Sequence, residues 1–124
     1  MKYEDQTGTV SRLLREYTSA ERKGMPVIAG ALQYFPDAIA AIARVSVKGN
    51  EKHNPGEPLH WSRGKSNDHL NCVGRHIMRP EVIDSDSGEI ELAHGAWRAL
   101  AALQLAEEKR LLAAGIKPLS GVVT

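Results

Sequence analysis

The chain has a single cysteine, Cys72, a single phenylalanine, and aromatic residues at only 5% of its 124 positions. One cysteine excludes an internal disulfide framework. No apolar run approaches the roughly 20 residues needed to span a bilayer, and the opening MKYEDQTGTV lacks the basic and then apolar order of a signal peptide. An excess of charge of one sign is missing too. With 16 basic against 15 acidic residues the formal net charge is +1, so no global field attracts a nucleic acid polymer or an anionic membrane, and any anion binding must be local. The phosphate-loop, nucleophile-elbow and dinucleotide-fingerprint patterns are also absent. These absences predict a cytoplasmic protein with a local site.

What is present is helical. Ala, Leu, Glu, Lys and Arg are plentiful, and no sustained apolar and polar alternation marks a sheet. The expectation is an all-α fold: a small helical bundle of three main helices plus a short N-terminal helical arm. At this length it should be one domain, residues 1–124, for which self-association would help a modest core. The arm covers residues 1–30, with a short helix from Val10 to Tyr17 broken by Lys23-Gly24-Met25-Pro26. The core covers residues 31–114. Pro36 sits where a first-turn proline belongs, with Ile39, Ile42, Ala43 and Ser46 at helical spacing and a stop expected near Gly49. A second helix is expected from around Ser66 to Met78, before Pro80. After the turn Asp84 to Gly88, Ile90 begins the longest helix, running to about Ala114. Leu92, Ala96, Trp97, Leu100 and Leu103 make its first half apolar around much of its circumference, which predicts burial, in the core or between subunits. The tail, residues 115–124, reads as a loose end.

Asp68, Asn71 and Arg75 fall at i, i+3 and i+7, so one stripe offers a carboxylate, an amide and a guanidinium to the same space. That set suits a phosphate with its metal ion, because Arg75 supplies paired donors and Asp68 an oxygen ligand for Mg²⁺. On stripe geometry alone, an ordinary surface salt bridge between Asp68 and Arg75 is the simpler account. His69, Cys72 and His76 form a neighbouring stripe, but their spacing is not a zinc signature. His76 alone is a candidate proton donor or phosphate contact near neutral pH, or a buried histidine bonded to backbone. The stretch GNEKHNPGEPLHW brings Lys52, His53 and Asn54 to the end of a helix. With Lys65 they could reach a polyanion held by Arg75, and Trp61 could stack on a base or plug the bundle. Asp84 reads as a turn residue with some metal-contact potential, and His94 as a helix residue that could face the same cavity.

Taken in order, GNEKHNPGEPLHW, then KSNDHLNCVGRH, then a turn with Asp and Gly, then HGAWRALAALQ, resemble a phage protein family labelled dATP/dGTP diphosphohydrolase, over about Arg22 to Glu108. Its members look like relatives of the all-α, MazG-type nucleotide pyrophosphohydrolases. The resemblance implies hydrolysis of a purine deoxynucleoside triphosphate to monophosphate and pyrophosphate, in a homo-oligomer of the host cytoplasm. It implies Mg²⁺, or Mn²⁺ in its place, on Asp68, Glu51 and Asp84. Asp68, His76 and Glu51 would be catalytic, and Lys52, His53, Asn54, Trp61, Lys65, Asn71, Arg75 and His94 would bind the nucleotide. Two departures bear on catalysis: Asn71 stands where relatives carry an aspartate and Arg44 where many carry a glutamate. The paired acidic motifs of the pyrophosphohydrolases are also missing. The alternative is therefore a non-catalytic protein that sequesters a signalling nucleotide made by a host defence system.

Overall fold

A computed structural model describes residues 2–4 and 10–123 of the chain. Four helices carry the fold: α1 Ser19–Lys23, α2 Pro36–His53, α3 His69–Ile77 and α4 Glu91–Ala113. The class is all-α, as expected, although two three-residue strands, β1 Lys2–Glu4 and β2 Val10–Arg12, pair antiparallel near the N-terminus. No single helix among the described residues is long and apolar enough to cross a membrane.

The N-terminal arm departs from expectation. Val10 to Arg12 is a strand, and the arm's helix lies at Ser19–Lys23 instead. The reason is a capping box: Thr18 Oγ1 accepts from the Glu21 N–H at 3.1 Å, and Glu21 Oε1 accepts from the Thr18 N–H at 2.8 Å. Two of the orphan donors at a helix start are thereby satisfied, which fixes where the helix can begin. Arg15 donates to both Glu21 oxygens and, with the Thr18 N–H, holds the Glu21 carboxyl at a pKa of about 2.

The described chain divides into two compact units. One consists of Met1–Pro26 with Gln104–Thr124. Its tail is tied back rather than loose: the Arg15 N–H donates to the Gly115 carbonyl and the Lys117 N–H to the Arg15 carbonyl, on either side of Ile116, and Ser120 Oγ donates to the buried Glu108 carboxylate at 2.7 Å. Thr124, the end of that tail, lies outside the described residues.

The other unit, Val27–Leu103, carries α2, α3 and the first half of α4. Helix α2 begins at Pro36 as predicted but passes through Gly49 and ends at His53. An isolated glycine costs a helix only about 1 kcal/mol, whereas Asn54 precedes Pro55 and is disfavoured in the helical region, so the stop falls there. Residues Gly49 to His53 of the sequence stretch singled out above are therefore helix. Helix α3 starts three residues later than expected, because residues 63–65 form a 3₁₀ turn and Asp68 takes the N-cap position. Gly95 lets α3 and α4 approach: a Cβ there would stand 3.3 Å from the His76 Cβ and 3.5 Å from the Ile77 Cγ2.

Val45, Cys72, Ala93 and Ala101 are the buried apolar residues of this unit. The first half of α4 is only partly enclosed. Ala93, Gly95 and Ala101 are buried, while Leu92, Leu100 and Leu103 are exposed, because apolar residues encircle the helix and its neighbours cover only part of the circumference.

Candidate functional site

The predicted stripe on α3 does form, and it is satisfied within itself. Asn71 Nδ2 donates to Asp68 Oδ1 at 2.5 Å, and the Arg75 guanidinium lies 3.9 Å from Asp68 Oδ2. Arg75 also donates to the Cys72 sulfur at 2.9 Å. Asp68 and Arg75 are both exposed, with side chains 51% and 65% accessible, so water screens their attraction and an anion can compete for the guanidinium.

The residues around the end of α2 are spoken for differently. Lys65 Nζ donates to Asn54 Oδ1 at 2.8 Å and to the His53 carbonyl at 3.0 Å. A cation at a helix C-terminus neutralises the negative end of the dipole, so Lys65 closes α2. Asn54 is buried and also accepts from Ser62 Oγ, which makes it a brace for the following loop. His53, on the last turn of α2, is exposed. Glu51 lies 3.7 Å from Lys48, and Lys52 lies 3.7 Å from Asp86. Asp84 accepts from the N–H groups of Asp86 and Ser87, bonds that hold its carboxyl below the usual range, that from Ser87 most of all. Glu51, Asp68 and Asp84 thus sit in three separate arrangements. Among the described residues no three His, Cys, Asp or Glu side chains converge as metal ligands.

A second polar cluster, more enclosed, lies between α3, α4 and the turn before α4. His76 Nδ1 is hydrogen-bonded to the Glu91 carboxylate, with side chains 25% and 17% accessible. The His76 ring stacks on His94 at a centroid distance of 5.3 Å. His94 Nε2 meets Ser87 Oγ at 2.7 Å, and Ser87 Oγ accepts from the Glu89 N–H, which leaves its own proton to donate to His94. Glu89 accepts from Arg44 Nε at 2.9 Å, and that bond, ahead of all other causes, holds its carboxyl below the usual range. Arg44, one of the two departures from the family pattern, therefore has an acidic partner in this chain. His76 and His94 were legible in the sequence, whereas Glu91, Glu89 and Ser87 were missed. The available signal was Glu91-x-x-His94, an acid and an imidazole at i, i+3.

Trp61 does not stand alone either. Its ring meets Trp97 edge to face at 6.1 Å and His69 at 6.5 Å, and His69 meets Trp97 at 6.3 Å. The Arg63 guanidinium lies 4.5 Å over Trp61, and Arg98 lies 5.6 Å over Trp97. Trp97 Nε1 donates to Ser46 Oγ at 2.8 Å, which fixes the indole against α2. His69 is 5% exposed. Burial first, and the Arg98 charge second, push its imidazole below the ordinary histidine pKa.

The phosphate-friendly stripe, the His76–Glu91 pair and the aromatic cluster all fall within one unit of the chain. The 310 Å³ cleft of the other unit, beside Tyr17, Arg22 and Lys117, includes none of the sequence-predicted site residues. No curated protein and no solved structure matches the chain. A family model described as dATP/dGTP diphosphohydrolase, N-terminal, matches residues 17–114, a span that contains every one of these side chains. The chain belongs to the dATP/dGTP diphosphohydrolase, N-terminal, family.

Proposed function

We propose that the chain hydrolyses a purine deoxynucleoside triphosphate to the monophosphate and pyrophosphate. The family match over residues 17–114 carries this reading. The side chains of Val27–Leu103 supply a chemistry for it. Arg75 takes phosphate oxygens in exchange for its weak pairing with Asp68, and Lys52 leaves Asp86 in the same way. Before the nucleotide arrives, Asp68, itself held by Asn71, keeps the guanidinium at the site. His76, positioned by Glu91, accepts a proton from the attacking water. The water oxygen bonds to phosphorus, the bond to the bridging oxygen breaks, and pyrophosphate leaves. Negative charge builds on the bridging oxygen as it departs with pyrophosphate, so the cations contribute most there.

The chain's own carboxylates do not build a cage for Mg²⁺ or Mn²⁺ within the described residues. A divalent ion belongs to this proposal as the companion of the triphosphate. The exposed Leu92, Leu100 and Leu103 on α4, together with Val27, Ile28, Tyr34 and Phe35 before α2, support a homo-oligomer in which a second copy covers them. The setting we propose is the cytoplasm of a phage-infected host.

One observation favours a second reading. Glu51, Asp68 and Asp84 are each engaged apart from one another, which suits a protein that binds and sequesters a signalling nucleotide without cutting it. Incubation with a panel of deoxynucleoside triphosphates and Mg²⁺, followed by mass spectrometry of products and of retained ligand, separates the two. Multiple-turnover pyrophosphate release supports the hydrolase. An intact nucleotide held stoichiometrically with no turnover overturns it in favour of the binder. Size-exclusion chromatography with light scattering tests the oligomer; a monomer at all concentrations removes it.

A further inference from the structure

The 310 Å³ cleft has no part in the proposed hydrolysis. All the residues that line it belong to the unit Met1–Pro26 with Gln104–Thr124, whereas every side chain assigned to hydrolysis lies in Val27–Leu103. Its volume falls at the small end of ligand sites, which run from about 300 to 1,000 Å³. Backbone bonds set its walls before any ligand arrives. The Arg15 N–H donates to the Gly115 carbonyl at 3.0 Å and the Lys117 N–H to the Arg15 carbonyl at 2.7 Å, so the segments leading to Tyr17 and to Pro118 are fastened side by side. The Gly121 N–H then donates to the Pro118 carbonyl at 2.9 Å and closes a turn, in which Gly121 takes a φ of 81° that costs glycine nothing. Ser120, within that turn, is anchored on the buried Glu108. Walls fixed in this way lose little further freedom when a ligand binds.

Two cations, Arg22 and Lys117, line the cleft against one carboxylate, Glu16. Arg22 gives an N–H to the Tyr17 carbonyl at 2.6 Å and meets no carboxylate among the described residues, so most of its fork is left for a ligand. Lys117 lies 3.9 Å from Glu16, with side chains 47% and 76% accessible, a pairing that an incoming anion displaces at small cost. The remaining side chains of the lining are apolar or aromatic: the half-buried Tyr17, the buried Pro118 and the exposed Leu119. Arg22 and Lys117 can both donate to the oxygens of a carboxylate or phosphate, and a flat ring is the body that suits tyrosine, proline and leucine surface. A triphosphate does not suit the cleft, because one unmatched positive charge is too little for it and Glu16 repels it. We propose that this cleft is a second ligand site, for a small organic anion with a single carboxylate or phosphate head held by Arg22 and Lys117 and a ring laid on Tyr17, Pro118 and Leu119.

Isothermal titration calorimetry of the full chain tests this. Phenyl phosphate and benzoate serve as ring-bearing anions, inorganic phosphate as a head without a body, and benzyl alcohol as a body without a charge. At least one ring-bearing anion should bind once per chain, at least about tenfold tighter than inorganic phosphate or benzyl alcohol, because both halves contribute. The tighter of the two identifies the head. Arg22→Gln and Lys117→Gln should each lower that affinity about tenfold. Leu119→Ser removes only exposed apolar surface, and should weaken the ring-bearing anion while leaving inorganic phosphate unchanged. Arg75→Gln, in the unit proposed to take the triphosphate, should leave the affinity for the ring-bearing anion as it is. Absence of saturable binding by both ring-bearing anions overturns the proposal. Binding that survives both cation variants, or that is lost in Arg75→Gln instead, overturns it equally, since the anion then sits elsewhere. Should Arg22→Gln fail to fold, Lys117→Gln and Leu119→Ser, both at exposed positions, decide the matter.

Discussion

The two faces of α3 teach different lessons about polar groups. On the outer face Asp68, Asn71 and Arg75 follow helical spacing and find one another, yet they stand in water. On the inner face His69 and His76 are enclosed, and each depends on residues far along the chain, on Arg98 and on Glu91. An exposed pair loses most of its Coulomb energy to solvent and can be exchanged for a ligand at small cost. An enclosed pair is held in orientation and costs more to break, because removing one partner strands the other in a poor dielectric. The outer face is thus suited to capture and release of phosphates, and the inner face to holding an imidazole in one tautomer.

The largest expected effect tests that division directly. Replacing Glu91 with glutamine should lower turnover by about 10²–10⁴-fold if His76 is the proton acceptor. Steady-state pyrophosphate release measures it. Turnover that survives Glu91→Gln unchanged removes the inner face from the mechanism. His76→Ala should match it, and the double variant should lose no more than either single one, since the two residues act as a unit.

The next effect is on stability and compares two glycines of the same helix pair. Gly95 faces His76 and Ile77 at van der Waals limits, whereas a Cβ at Gly74 would meet nothing within 4 Å. Gly95→Leu should therefore destabilise the chain by about 1–3 kcal/mol through overpacking. Gly74→Ala should stabilise it by up to about 1 kcal/mol, because only the helix propensity changes. Urea unfolding followed by circular dichroism reads both. Opposite signs confirm that the inner face is the packed one, and like signs break the comparison.

The same contrast explains what could be read from the sequence. Spacing along one helix was legible, so Asp68, Asn71 and Arg75 were found together, and Pro36 placed the start of α2 correctly. Pairings across the chain were not legible. Nothing in the local pattern around Arg44 announces Glu89, and nothing around Lys65 announces that its ammonium closes the end of α2 rather than waiting for a phosphate. Gly49 misled because a glycine's preference is weak, while the steric demand of Pro55 on Asn54 is strong. The arm misled for the opposite reason: the Thr18-x-x-Glu21 capping box was in plain view, directly after the stretch where the helix was sought.

A smaller effect separates the faces by pH. The fold holds the His69 pKa below its ordinary value of 6.5, chiefly by burial and then by the Arg98 charge. The unfolded chain therefore takes up a proton at a higher pH than the folded one does. The contribution of a neutral His69 to stability is complete above 6.5 and is lost as pH falls from 6.5 toward the lower folded value. Thermal melts on either side of 6.5 should show this loss in the native chain and a shallower one in His69→Phe. An identical pH slope in the variant assigns the acid sensitivity elsewhere.

The smallest expected effect belongs to the outer face. Asp68→Asn removes one charge from an exposed pair whose closest approach is 3.9 Å, and the amide can still meet Asn71. Its cost to folding should stay within about 0.5 kcal/mol, the range of exposed ion pairs. Turnover should nonetheless fall, because Asp68 keeps the Arg75 guanidinium at the site until phosphate takes it in the proposed reaction. Unfolding curves that overlay the native ones, with reduced turnover, would mark Asp68 as a positioning residue. A large loss of stability would show instead that the outer face, too, is part of the packed structure, and the distinction between the two sides of α3 would fall with it.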